Sequence, residues 1–142
     1  MNDTPYHPNI YDAWLYDETA DATVPTHGHP EGVNGAAAVS IAIRMAWSGC
    51  SKDEIRNDLS ALWYKDHLKY NLKRKLAKIR PDYKFDETCQ GTVPVAILAF
   101  LESHDFVSAI QNAISMGGDS DTLAAITGSI AEAYYREIPE DL

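Results

Sequence analysis

Cysteine is scarce in this chain: Cys50 and Cys89 are its only two, and they do not form a Cys-x-x-Cys pair. That excludes a disulfide-stapled scaffold and a zinc ribbon. It predicts isolated thiols kept in a reducing compartment, which we take to be the cytoplasm. Basic residues are also in deficit, with 12 Lys and Arg against 21 Asp and Glu, a net charge of −9 and a pI near 4.8. Such a surface repels phosphate backbones, so nucleic acid is not an expected partner. No run approaches the roughly 18 apolar residues of a membrane span, and no membrane partner is expected. The opening residues, Met1 to Pro5, carry neither a basic region nor an apolar run, so no signal peptide is expected there. Strict apolar–polar alternation is missing, which argues against strands. Internal repeats and low-complexity segments are absent too.

What remains is apolar residues at helical spacing. At 45% hydrophobic and 23% charged, the composition is that of a globular chain. Its length suits one domain, with residues 1–9 as a loose lead-in. The periodicity predicts seven helical segments, at about 10–22, 33–47, 51–64, 66–80, 93–101, 106–116 and 123–135. Gly49 is placed to end the second segment. Ser51 and Glu54 have the spacing of a capping box, and Pro81 is placed to end the fourth segment. Gly91 or Thr92 should open the fifth, with Pro94 in its first turn. The segments at 33–47, 93–101 and 123–135 are apolar on more than one face, and Gly128 permits close approach in the last of them. The fold class is all-α. Lys65, Lys69, Lys73, Arg74, Lys75, Lys78 and Arg80 make the fourth segment the one strongly basic stretch. It reads as a solvated face or as a surface for phosphates or an acidic partner.

Two stretches carry chemistry. The first is Gly117-Gly118-Asp119-Ser120-Asp121-Thr122. Two glycines end one helical pattern, and two carboxylates and a hydroxyl open the next. Asp119, Asp121 and Thr122 can offer hard oxygens to Mg²⁺, Mn²⁺ or Ca²⁺. They are equally placed to cap a helix, where carboxylates satisfy free N–H groups and suit the dipole. The residues alone leave both readings open. An EF-hand is excluded: counting from Asp119, its Gly and Glu positions hold Ala124 and Ile130. The second stretch is Thr26-His27-Gly28-His29-Pro30-Glu31-Gly32, which the glycines and proline make a compact loop. His27 and His29 have a spacing seen in zinc sites, but no clear further ligands accompany them. Backbone capping and ligand contact are the alternatives.

Taken together, these stretches resemble the ADP-ribosylglycohydrolase family. Gly117 to Ala131 is similar to that family's C-terminal signature. Thr26 to Gly32 resembles its Thr-His-x-His-Pro-Glu-Gly segment, and Cys89-Gln90-Gly91-Thr92-Val93-Pro94 also fits. The resemblance runs from about residue 10 to the end. It implies a compact, multi-helix orthogonal bundle and a site holding Mg²⁺ or Mn²⁺. It implies hydrolysis of the bond between ADP-ribose and a modified side chain or related small molecule. On that resemblance Asp119, Asp121 and Thr122 would be metal ligands, while Gly117, Gly118, Ser120 and His27 would lie at the ADP-ribose.

The family pattern also includes an N-terminal acid, a Thr-Asp-Asp trio and a glycine-rich segment. None is found here; residues 1–25 offer only Asp3-Thr4 and Glu18-Thr19-Ala20-Asp21. We therefore expect a truncated domain, with one weakly held ion at most and little or no activity as an isolated chain. We also expect uncovered apolar surface, and hence a homo-oligomer or a chain that supplies the other half. A non-catalytic ADP-ribose-binding or interaction module is the alternative.

Overall fold

A run as apolar as Val95-Ala96-Ile97-Leu98-Ala99-Phe100-Leu101 is stable in water only if other elements cover it on every side. The computed structural model describes residues 30–61, 71–83 and 89–136. Within them the chain forms α1 (Pro30–Trp47), α2 (Lys52–Ala61), α3 (Leu76–Ile79), a 3-10 turn (Arg80–Asp82), α4 (Cys89–Leu101), α5 (Phe106–Ser115) and α6 (Ser120–Tyr135). No strand occurs among the described residues, so the chain is all-α as expected. The expected helix at 10–22 and the lead-in at 1–9 lie outside them.

α4 is the centre. All seven residues from Val95 to Leu101 are buried, with Ala96, Ile97, Ala99 and Phe100 fully so. α1, α5 and α6 pack around it. α1 presents Ala38, Ile41, Ala42, Met45 and Ala46, a stripe at helical spacing whose alanines let backbones approach closely. α5 and α6 form an antiparallel-type hairpin through a short turn and pack against each other most extensively. Gly128 sits in their contact: a Cβ there would meet Ile110 Cδ1 at 3.1 Å. Two polar bonds tie the hairpin to α4. Fully buried Thr127 donates through Oγ1 to Ala96 O at 2.8 Å, and Asn112 donates through Nδ2 to Ala99 O at 3.0 Å.

Several local expectations hold. Gly49 follows α1 at φ +88. The Ser51–Glu54 capping box forms in both directions, at 3.0 and 3.1 Å. Four boundaries differ from the sequence reading. α1 begins at Pro30 and not at residue 33, because proline is well suited to the first helical position, where its missing N–H costs nothing. The basic segment is not one helix over its described part. Residues 71–75 turn, and only Leu76–Ile79 is α-helical. The cause is local competition. Asn71 Oδ1 accepts the Lys73 N–H, and the Glu102 carboxylate accepts the Leu76 N–H at 2.7 Å, which starts a new short helix there. Pro81 does not end a helix but lies in the 3-10 turn that follows. α4 begins at Cys89, earlier than Gly91, so Pro94 falls inside it. As the sixth residue of α4, Pro94 removes one ladder bond and its ring crowds the carbonyl four residues back.

The apolar surface expected to be left open is covered among the described residues. Trp47 and Ile114 are the exposed large apolar side chains there, and α4 exposes none from Val95 to Leu101.

The C-terminal end of the bundle is closed by a cation. Lys52, the first residue of α2, donates to Ser103 O and to Tyr135 Oη, the latter at 2.7 Å. Its Nζ lies 5.5, 5.4 and 5.2 Å from the ring centroids of Phe100, Tyr134 and Tyr135. Ser103 Oγ donates its one proton to Phe100 O. Tyr135 Oη therefore donates to Ser103 Oγ, at 2.7 Å, and accepts from the ammonium. The charge thus sits where α4 and α6 present their negative poles.

Replacing Lys52 with Met keeps the aliphatic stem but removes the charge and both hydrogen bonds. We expect K52M to lose about 2 kcal/mol of stability, read as a lower urea midpoint with unchanged slope. A second prediction concerns Asp105, the N-cap of α5. Its carboxyl is held below the usual range by the Ser108 N–H, then by the Ser108 hydroxyl. Its contribution is present above the ordinary carboxylate range and is lost as pH falls through the lowered value. In D105N the cap persists without titrating, so the acid limb of the melting temperature–pH curve should become shallower.

Candidate functional site

The turn between α5 and α6 is built by its sequence in three steps. α5 ends at Met116, whose N–H reaches Ala113 O and Ile114 O. Gly117 and Gly118 then take φ +76 and +60, two successive left-handed residues that side chains disfavour. Asp119 follows as the N-cap of α6. Leu123, fully buried, anchors the first turn of that helix to the core. The glycines thus reverse the chain in the shortest distance and deliver Asp119 to the positive pole of a 16-residue helix.

Asp119 is half-buried and engaged. One carboxylate oxygen accepts the Thr122 hydroxyl at 2.6 Å, and the other accepts the Thr122 N–H at a long 3.4 Å. The backbone Asp119 O accepts from Leu123 N at 3.0 Å. Ser120 is half-buried, and Asp121 and Thr122 are exposed. Asp121 has no hydrogen-bond or ion-pair partner among the described residues. The structure therefore brings Asp119 and Thr122 into contact and puts Asp121 beside them on the same first turn. Capping accounts for Asp119 and Thr122; Asp121, in the first turn, suits the positive helix pole without a bond to any described residue. No group of three or more His, Cys, Asp or Glu able to hold a metal occurs among the described residues. His27 lies outside them, as do Thr26, Gly28 and His29; Pro30, Glu31 and Gly32, expected in the same loop, instead form the first turn of α1.

The donor chemistry here fits a hard divalent cation: two carboxylates and a hydroxyl, with no nitrogen or sulfur. It also fills only part of a shell of about 6 oxygens. A family model described as ADP-ribosylglycohydrolase matches residues 5–142. The chain belongs to the ADP-ribosylglycohydrolase family. Members of the family are generally divalent-metal dependent and act on ADP-ribosylated substrates. An uncharacterized protein of Archaeoglobus fulgidus is 27% identical over 124 residues, covering 81% of this chain and 41% of that protein. The chain thus spans about two fifths of the relative it matches. Among the described residues no helix is long and apolar enough to cross a membrane.

Sequence reasoning did not reveal the Lys52 cluster, because it joins residues 51 and 83 positions apart. Nor did it show that Arg80 reaches Ser115, two residues before the turn, with an NH2-to-Oγ bond of 2.9 Å.

The two acids are separable by mutation. D119A removes a cap and should lower stability by about 1 kcal/mol. D121A removes a carboxylate with no bonded partner among the described residues and should lower stability by only about 0.5 kcal/mol, through its loss from the helix pole. Parallel urea titrations read both.

Proposed function

We propose that the Gly117–Thr122 turn is one wall of a divalent-metal site that hydrolyses the N- or O-glycosidic bond of ADP-ribose on modified substrates. Asp119, Asp121 and Thr122 would hold Mg²⁺ or Mn²⁺, and Gly117, Gly118, Ser120 and His27 would border the ADP-ribose. The observation that carries this reading is Asp121: a carboxylate with no bonded partner among the described residues, beside the Asp119–Thr122 pair, in a chain whose family match runs through it.

A bound divalent ion would supply a polarised, more acidic water and an electrostatic hold on the leaving oxygen. This chain's own residues prepare the place. Thr122 fixes the Asp119 carboxylate through the 2.6 Å bond from its hydroxyl. Gly117 and Gly118 are exposed, and open space surrounds the position a Cβ would take at Gly117, so the backbone there is open to a close ligand. The two negative charges offset the positive pole of α6, which otherwise repels a cation.

Three protein groups do not complete two metal shells, so catalysis needs further ligands from another chain or from sequence outside these residues. On ligand count alone, the isolated chain would bind one ion at about 10⁻³ M at best and hydrolyse little. The required companion would be a second copy or a polypeptide that carries the Thr-Asp-Asp trio. A second reading, a non-catalytic ADP-ribose-binding module, is favoured by that same partial shell. We assign the chain to the cytoplasm on its scarcity of cysteine and the lack of a Cys-x-x-Cys spacing.

Calorimetric titration with ADP-ribose, with and without Mg²⁺, tests the site. Mg²⁺-dependent heat is expected for the wild type and its loss for D121A, with folding intact. Equal heat in D121A would refute the metal assignment. Adding a polypeptide with the Thr-Asp-Asp segment should restore release of free ADP-ribose; binding without release would establish the second reading.

A further inference from the structure

The rest of the chain's charge is segregated. Residues 71–83 hold five of the twelve basic residues and one of the twenty-one acidic ones, so the stretch is net +4 and the remainder of the chain is net −13. Lys73, Arg74, Lys75, Lys78 and Arg80 are all exposed. None of the five enters an ion pair among the described residues, where the pairs are Arg56–Asp53 and His104–Asp105.

These cations stand on a fixed platform. Leu72 and Leu76 are buried at 1% and 2% exposure and pin the backbone between the charges. Glu102 holds the Leu76 N–H at 2.7 Å, and Arg56 Nε donates to Leu72 O at 3.1 Å. Arg80 donates to Ser115 Oγ at 2.9 Å, and Ser115 in turn donates to Asn112 O at 2.8 Å. That last pair of bonds joins the platform to the end of α5, two residues before Gly117. Ile114, the neighbour of Ser115, is 55% exposed and adds an apolar contact at the same edge.

We propose that the Lys73–Arg80 surface docks an acidic polypeptide segment beside the Gly117–Thr122 turn. A fixed backbone whose cations have no ion pair among the described residues lowers the ordering cost of binding. At physiological ionic strength, charges interact over about 8 Å, so the patch acts locally despite the net charge of −9. From Lys73 to Arg80 it extends at most roughly 20 Å, enough for about six residues of an extended peptide. A longer nucleic acid would run off the patch onto the acidic remainder and be repelled there. The platform stands on charge and placement. Its role in presenting an ADP-ribosylated acidic protein to the turn rests on the function proposed above.

The test uses the full chain and a fluorescein-labelled dodecapeptide of alternating Glu and Gly, without Mg²⁺ or ADP-ribose. Comparison probes are the Lys–Gly dodecapeptide and a twelve-nucleotide oligothymidylate. Saturable anisotropy is expected for the Glu peptide, weakening severalfold between 50 and 300 mM NaCl. K73E/R74E/K75E/K78E should weaken it at least tenfold at an unchanged melting temperature, as should the neutral K73Q/R74Q/K75Q/K78Q. The proposal is overturned if the wild type does not bind the Glu peptide, if either folded variant binds it equally, or if oligothymidylate binds more tightly. Should the variants fail to fold, the wild-type salt series and the probe ranking decide alone. Because metal and ADP-ribose are left out, failure of the glycohydrolase site leaves this result untouched.

Discussion

The burial of α4 from Val95 to Leu101 is the constraint on which the other elements depend. A helix with seven consecutive buried residues has no polar face to give to water, so its neighbours must enclose it. α1 does this through alanines, α5 through Ala109 and Ala113, and α6 through Leu123, Thr127, Ile130 and Ala131. The Thr127–Ala96 hydrogen bond then sets the register of α6 along α4. Once that register is set, the place where α6 begins is set with it. The acidic turn is therefore positioned by packing half a helix away from its own chemistry.

The two ends of α6 are electrically opposite, and the chain treats each accordingly. At the C-terminal end the Lys52 ammonium lies among carbonyls, hydroxyls and ring faces that all favour a cation. At the N-terminal end, about 24 Å away by helix rise, Asp119 and Asp121 gather at the positive pole. A divalent ion placed there works against the helix field, so its retention depends on how many carboxylates surround it. This is why two acids suggest a partial site, and why the family's further acids matter to the proposed chemistry.

Much of this arrangement was legible in the sequence, and the reasons for the rest are specific. Helices α1, α4, α5 and α6 were readable because each repeats apolar residues at helical spacing over ten or more positions. The Ser51–Glu54 cap was readable because its partners are three residues apart. The Gly-Gly-Asp-x-Asp-Thr run was readable because it is contiguous. The basic segment was misread as a continuous helix because Leu68, Leu72, Leu76 and Ile79 keep the period. The Glu102 carboxylate that restarts the chain at Leu76 comes from 26 residues away. Pro94 misled in the other direction: a good first-turn residue was taken to mark the start of α4, while the helix reaches back to Cys89. The covering of the apolar helices also escaped the sequence, since mutual burial depends on how four helices cross.

Trp47 has a consequence of its own. Its indole is 64% exposed, yet the Arg136 guanidinium lies 4.7 Å from its ring centre and donates to its backbone carbonyl. Arg136 holds a left-handed backbone, φ 61, to reach that position. The ring therefore senses whether the last turn of α6 is docked, and its emission is a built-in optical gauge of fraying at that end of the bundle.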